Sequence, residues 1–370
     1  MPYNITMKKI LKNLIFITVP SIIILFILLE LFFRFVIPAA EIAQPFFDKK
    51  ELIYRFDTNS KKEGLYTIGK AAQQRGHWRI NNYGWNSSID YVSQRDKKLI
   101  AIIGDSQIEA YQVDVDKSYP SILRKKIGDN YDVYSFGRSG APLSQYLHYS
   151  RYVNRLFNPD ILLFNIVHND FDESVFQLNP SDIHWLTLNV NDSIVTENKP
   201  KPNHSFSQYN WKKRIIKKSA LFRYLYVNLH LSRTIYNFRI RKNNQEKFNA
   251  NVEVTKIEDN KSLIKKSVDY ILGKLLDENP NKRIIFIFDA PRNDIYNNTL
   301  ENSNILFLHD ILEKYCLKYG FEYIDLTLPM ENDYKKNQIK FNSDIDGHWN
   351  EYGHSFVYKQ ILKHITKKDK

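Results

Sequence analysis

The chain reads as an α/β protein, a doubly wound parallel five-stranded sheet preceded by one transmembrane helix. Three observations predict this. Short apolar runs recur at Leu99–Ile103, Val133–Phe136, Ile161–Val167, Ile284–Phe288 and Tyr323–Leu326, and continuous apolar runs of this length suit parallel strands buried on both faces. Amphipathic patterns alternate with them at Ser118–Ile127, Gln145–Phe157, Lys261–Leu276, Asn304–Tyr319 and Tyr352–Ile365, the order expected of βαβ units. Before all of this lie seventeen uncharged residues, Asn13 to Leu29, rich in Ile, Leu and Phe.

That N-terminal stretch is flanked by Lys8, Lys9 and Lys12, and its apolar pattern runs on to Ile37, broken only by Glu30 and Arg34. The two charges are four residues apart and can pair on one helix face. About 20 residues span a bilayer. We therefore divide the start of the chain into a cytoplasmic tail, 1–12, and a membrane anchor, 13–38. The preceding lysines place the N-terminus in the cytoplasm and the bulk of the chain outside it, periplasmic or at the cell surface. Ala39 and Ala40 leave a cleaved signal peptide as the alternative, although the run exceeds the 7 to 15 residues usual for one.

Residues 39–98 read as a lead-in that crosses the surface, with a turn at Gly84. The main α/β domain is expected over 99–170 and 261–370. Between them, 171–260 is too long for one crossover and reads as a basic, partly helical insertion. The net charge of +12 concentrates there: Asn198 to Gln245 holds twelve Lys and Arg and no acid. The rest is near neutral, so a global nucleic-acid-binding surface is not implied. Interleaved aromatics from Trp211 to Lys242 suit basic amphipathic helices, which could be an ordinary solvated face or a contact to anionic lipid or polysaccharide. A single cysteine, Cys316, excludes an internal disulfide framework and a cysteine zinc site.

Chemistry-bearing residues gather at the ends of the apolar runs. The first ends in Gly104-Asp105-Ser106, the second in Phe136-Gly137-Arg138-Ser139-Gly140 and the third in Val167-His168-Asn169-Asp170; near the C-terminus stands Asp344-Ile345-Asp346-Gly347-His348-Trp349-Asn350. Doubly wound sheets bind ligands at that strand edge. A serine there could act as nucleophile, with a histidine to take its proton and an aspartate to orient the imidazole. The backbone N–H of Gly140 and the Asn169 amide could serve an oxyanion. Asp105 and Asp170 are read as turn-holding residues and His354 as structural.

In this order the blocks resemble those of the SGNH, or GDSL-type, hydrolase superfamily. The resemblance covers Leu99 to Asp170 and Phe286 to about Lys363, roughly half the chain. It implies a flavodoxin-like sheet and Ser106 as nucleophile. It further implies an oxyanion hole of Ser106, Gly140 and Asn169, His348 as general base and an aspartate as its partner, with no metal and no cofactor. Three departures stand out. Gln107 replaces the leucine after the serine and should not touch the chemistry. His168 replaces the glycine before the asparagine and could contact substrate. The frequent Asp-x-x-His spacing would put Ile345 at the acid position, whereas the chain has Asp-x-His-Trp, similar to alginate-type polysaccharide O-acetyltransferases. Asp346 is therefore the expected acid and Asp344 the reserve. The expected function is a membrane-anchored serine esterase or O-acyltransferase on O-acyl groups of cell-envelope or exported glycans. The alternative is a catalytically silent glycan-binding or assembly module of the same fold.

Overall fold

The computed structural model describes residues 9–191, 194–202, 217–229, 248–250 and 252–368. Two compact units partition the chain. The first is Met1–Ile42, Leu65–Arg75 and Tyr209–Arg241; the second is Ala43–Gly64, Gly76–Gln208 and Lys242–Lys370.

The second unit is built on five parallel strands: β1 (Lys98–Gly104), β2 (Tyr131–Gly137), β3 (Ile161–Ile166), β4 (Arg283–Phe288) and β5 (Glu322–Asp325). Their order is β2-β1-β3-β4-β5. This is the flavodoxin-like order, whose switch point, where connections leave on opposite sides, lies between β1 and β3. Each expected apolar run became one of these strands.

Alternate residues of each strand feed two separate cores, as the period of two requires. Leu99, Ala101 and Ile103 of β1, with Phe164 and Phe286, pack under α2 (Leu143–Phe157), α3 (Lys261–Glu278) and α4 (Phe307–Tyr319). Ile100 and Ile102, with Leu163 and Ile285, pack on the other face under α1 (Tyr119–Ile127), α5 (Thr327–Asn337) and α6 (Glu351–Lys368). Helix α5 was not expected. Its first turn, Thr327-Leu328-Pro329-Met330, buries only Thr327 and Met330, too sparse a pattern to show helical periodicity.

Two boundaries differ from the sequence reading. The segment before β1 is not a surface lead-in, because Ile53, Trp85 and Tyr91 are at most 1% exposed and Trp85 packs edge-on against Phe136 and Tyr149. Nor is 171–260 one insertion. Phe171, Val175, Trp185, Leu188, Val252 and Ile257 join the core beneath α2–α4, while 209–241 belongs to the first unit. Of the basic residues, Lys212, Lys213, Arg214, Arg233, Arg239, Arg241 and Lys242 lie outside the described residues.

The first unit carries the apolar helix Lys9–Phe35, with mean hydropathy 2.7 over its most apolar 18 residues and no buried position in that window. A helix of 27 residues is long and apolar enough to cross a membrane.

Candidate active site

Strand β1 delivers Ser106 at the switch point. Gly104 has to be small, since a Cβ there would lie 2.4 Å from Ile108 Cγ1. Asp105 then leaves the strand conformation and caps the short helix Ser106–Glu109, its Oδ1 accepting the Gln107 N–H at 2.9 Å. That turn presents the Ser106 hydroxyl beyond the strand end.

A small antiparallel hairpin, Asn342–Ser343 with Asp346–Trp349, brings the other partners. His348 Nε2 is 2.8 Å from Ser106 Oγ, and its Nδ1 is 2.6 Å from Asp346 Oδ1. The same carboxylate oxygen accepts the His348 backbone N–H at 2.8 Å, so the Asp-x-His spacing lets the acid hold both the ring and the turn that carries it. Asp344 is turned away, with its side chain 80% exposed and 2.7 Å from Lys340. Asp346 is thus the acid that meets the imidazole.

The hairpin is tied to the nucleophile turn by residues without a sequence signature. Gln107 Oε1 accepts the Trp349 N–H at 3.0 Å, so its side chain braces the hairpin without touching the reacting atoms. It fixes the residue next to His348. The Trp349 indole N–H donates to Asp289 at 3.0 Å, and Asp289 also accepts from Arg292 at 2.9 Å.

The electrostatics suit a base. Burial opposes charging of His348, but the hydrogen bond and charge of Asp346, with Asp105 adding, outweigh it and raise the pKa above the usual histidine value. Burial likewise acts to raise Asp346, yet its bonds to His348 hold it below the usual carboxylate value. Asp105 is different. Its carboxyl is pushed up by burial, and Ser106 Oγ lies 2.9 Å from its Oδ2. A hydroxyl has one proton. Donated to Asp105, it leaves His348 Nε2 as a donor; donated to Nε2, it gives the state from which serine can attack.

Gly140 follows β2 and Asn169 follows β3, the two strands that flank β1. Gly140 sits at φ +76°, a conformation that only glycine adopts without cost. Asn169 opens the short helix Asp170–Glu173. Its Nδ2 donates to Glu173 Oε1 at 3.0 Å, leaving the second N–H of that amide for another acceptor. Burial, reinforced by the Asp172 and Asp182 charges against the Asn169 bond, pushes the Glu173 carboxyl up to about 8. Asp170 holds the loop by accepting from Val167 N at 2.8 Å and from the Tyr146 hydroxyl at 3.0 Å.

His168 is not in a pocket wall. Its ring is 2% exposed, with Nε2 3.0 Å from Nε2 of His309, whose Nδ1 is 2.9 Å from Asp325. The side chain after β3 turns into the interior, where Phe288 lies against it, so a direct substrate contact is corrected to a buried histidine pair. Among the described residues no group of three or more His, Cys, Asp or Glu is arranged to hold a metal.

No family model matches the chain, and no curated protein matches it. Solved structures do. A member of the lipolytic protein G-D-S-L family from Veillonella parvula DSM 2008 is 12% identical, covering 73% of this chain and 98% of its own, with a TM-score of 0.40. The lipase/acylhydrolase from Enterococcus faecalis is 11% identical, covering 73% of this chain and 96% of its own, at 0.39. An acetyl xylan esterase is 12% identical, covering 72% of this chain and 99% of its own, at 0.40. The chain is similar in structure to proteins described as G-D-S-L lipolytic, acylhydrolase and esterase.

Proposed function

We propose that the chain is a membrane-anchored serine esterase or O-acyltransferase of the SGNH, GDSL type. One observation carries the reading: an unbroken hydrogen-bonded line from Asp346 through His348 to Ser106 at the switch point of a doubly wound sheet. Ser106 Oγ attacks the ester carbonyl as its proton passes to His348 Nε2. Asp346 stabilises the imidazolium that forms. The Ser106 and Gly140 backbone N–H groups and the Asn169 amide take the oxyanion. The tetrahedral species collapses by expelling the alcohol, which leaves with the proton from His348, and an acyl-Ser106 remains. Water or a sugar hydroxyl, deprotonated by His348, then takes the acyl group and restores the serine.

Helix Lys9–Phe35 would anchor the chain with Lys9 and Lys12 on the cytoplasmic side and the catalytic unit outside. That position, together with the Asp-x-His-Trp motif, favours O-acetyl groups of cell-envelope or exported glycans as substrate. Turnover of an aryl acetate by the full-length chain in detergent tests the enzyme reading. Activity that Ser106→Ala abolishes supports it; no turnover supports the silent glycan-binding module. An acetylated donor offered with and without glycan acceptor separates transfer from hydrolysis, since only a transferase yields acetylated glycan.

A further inference from the structure

The first unit holds a contact that the catalytic chemistry does not use. Glu30 lies near the end of the apolar helix, and its carboxylate caps the start of a second helical stretch. Oε1 accepts the Ala220 N–H at 2.9 Å, and Oε2 accepts the Leu221 N–H at 3.1 Å and the Ser219 hydroxyl at 2.7 Å. Arg34 bridges the two, bonding Glu30 at 2.6 Å and the Lys218 carbonyl at 3.1 Å. A carboxylate at a helix N-terminus satisfies backbone donors that would otherwise lack partners.

From there Ala220–Asn228 runs on as nine helical residues and is pinned along its length. Tyr224 stacks on Phe33 at 3.8 Å between centroids, and its hydroxyl donates to the Lys70 carbonyl at 2.7 Å. At the far end Asn228 accepts the Ala40 N–H at 3.1 Å and donates to Thr67 Oγ1 at 3.0 Å. One face is therefore closed, with Ala220, Leu221, Tyr224 and Asn228 all buried.

The opposite face is not. Phe222 is 43% and Tyr226 63% exposed, and residues four apart lie side by side on a helix. Phe222 and Leu221 border an apolar groove whose other wall is Ile23, Phe26, Ile27 and Leu31. Ile23, Phe26 and Ile27 belong to the uncharged run, which reaches about 26 Å from Asn13 to Leu29 at 1.5 Å per residue, against a hydrocarbon core of about 30 Å; Leu31 lies just past Glu30. Glu30 therefore falls at the outer boundary, and Phe222 reaches from it along the membrane side.

We propose that residues 220–228 form an interfacial helix whose Phe222–Tyr226 face is seated in the outer phospholipid leaflet against the spanning helix, giving the chain a two-point membrane contact. The occupant is a phospholipid: acyl chains fill the groove continuous with the spanning helix. Lys218, exposed just before the helix, suits the phosphates at the boundary, while Arg223 is turned back to the Ala40, Lys217 and Lys218 carbonyls. Tyr226 is favoured at this depth because its ring is amphipathic, and the wholly apolar Phe222 suits the acyl chains.

The proposal rests on the membrane-anchored reading, and the test separates the two. Full-length chains carrying one nitroxide each, at Phe26→Cys, Phe222→Cys or Tyr226→Cys, are reconstituted in vesicles of phosphatidylcholine and phosphatidylglycerol. Cys316 stays in place, since it is fully buried and burial raises its thiol pKa, leaving it unlabelled. Power saturation then compares access to oxygen, which partitions into lipid, and to a nickel chelate, which stays in water. The expected result is oxygen-dominated relaxation at all three sites, shallower at positions 222 and 226 than at 26. A lipid signature at 26 with nickel access at 222 and 226 overturns the interfacial helix and leaves the anchor standing. Nickel access at 26 overturns the anchor and the proposal together. Protection from both reagents at 222 and 226 means that protein covers the face, which also overturns it.

Discussion

Two of the aspartate–histidine couples in the sheet unit, those of His348 and His309, invite comparison, and only one has its imidazole against a hydroxyl. His348 meets Asp346 at 2.6 Å and His309 meets Asp325 at 2.9 Å, each through Nδ1. What differs is the far side of the ring. Nε2 of His348 faces a hydroxyl, and its side chain is 26% exposed. Nε2 of His309 faces the ring of His168, and its own side chain is 5% exposed under a parallel Phe288 ring 3.9 Å away. The two Nε2 atoms share a single hydrogen bond, which only one of the rings can donate. Burial first, then the His309 and Arg292 charges, holds the His168 pKa well below the usual value. An acid–imidazole pair thus becomes a base only where its second nitrogen meets a nucleophile in an opening that can admit an acyl group. The His309 pair cross-links β3, β5 and α4 instead.

Replacing each acid breaks the comparison most sharply. Asp346→Asn is expected to lower kcat/KM by about 10⁴-fold, because the imidazole loses its tautomer and the partner for its charge. Asp325→Asn should cost less than about 10-fold in kcat/KM while lowering the thermal midpoint, since it leaves buried polar groups short of a partner. Equal losses in the two variants would erase the distinction. The pH profile sharpens it. His348 must be neutral to act, and its pKa is raised, so kcat/KM should rise with pH through a midpoint above the ordinary histidine value. Asp346→Asn should move what remains of that limb downward.

A smaller effect is expected at Glu173. Its Oε1 orients the Asn169 amide, so Glu173→Ala should lower kcat about 5-fold with KM little changed, in line with one lost hydrogen bond of about 1 kcal/mol. Glu173→Gln keeps an oxygen for Asn169 and should retain activity. It should also change stability. A carboxyl whose pKa rises from 4.5 to about 8 on folding stabilises the fold while protonated, and that stability is lost as pH climbs through about 8. Thermal melts from pH 4.5 to 9 should therefore decline less steeply in Glu173→Gln. The smallest effect belongs to Asp344, whose bond to Lys340 is exposed. Asp344→Asn should leave kcat/KM within about 2-fold, and a large loss would point to the other acid.

Much of this was legible because buried parallel strands leave continuous apolar runs, and the switch-point arrangement puts reactive side chains just after them. Ser106, Gly140 and Asn169 lie at such places, whereas the Asp346–His348 pair sits in a separate hairpin and was legible from its motif alone. Glu173, Gln107 and Asp289 were not legible, because each acts through a contact that exists only after folding. Gln107 meets Trp349 across 242 residues of chain, and no local pattern announces such a pair. His168 looked like a pocket residue because its partner, His309, is 141 residues away. The capping of Ala220 by Glu30 is hidden in the same way, 190 residues apart.

The central claim is that Ser106 is a nucleophile activated by His348. It is tested most directly by labelling the full-length chain with a fluorophosphonate and locating the adduct by peptide mass spectrometry. The account predicts one adduct, on Ser106, that grows with pH through the His348 titration and falls steeply in His348→Ala and Asp346→Asn but not in Asp325→Asn. Absence of an adduct on Ser106, or labelling of Ser106 indifferent to His348→Ala, would contradict it.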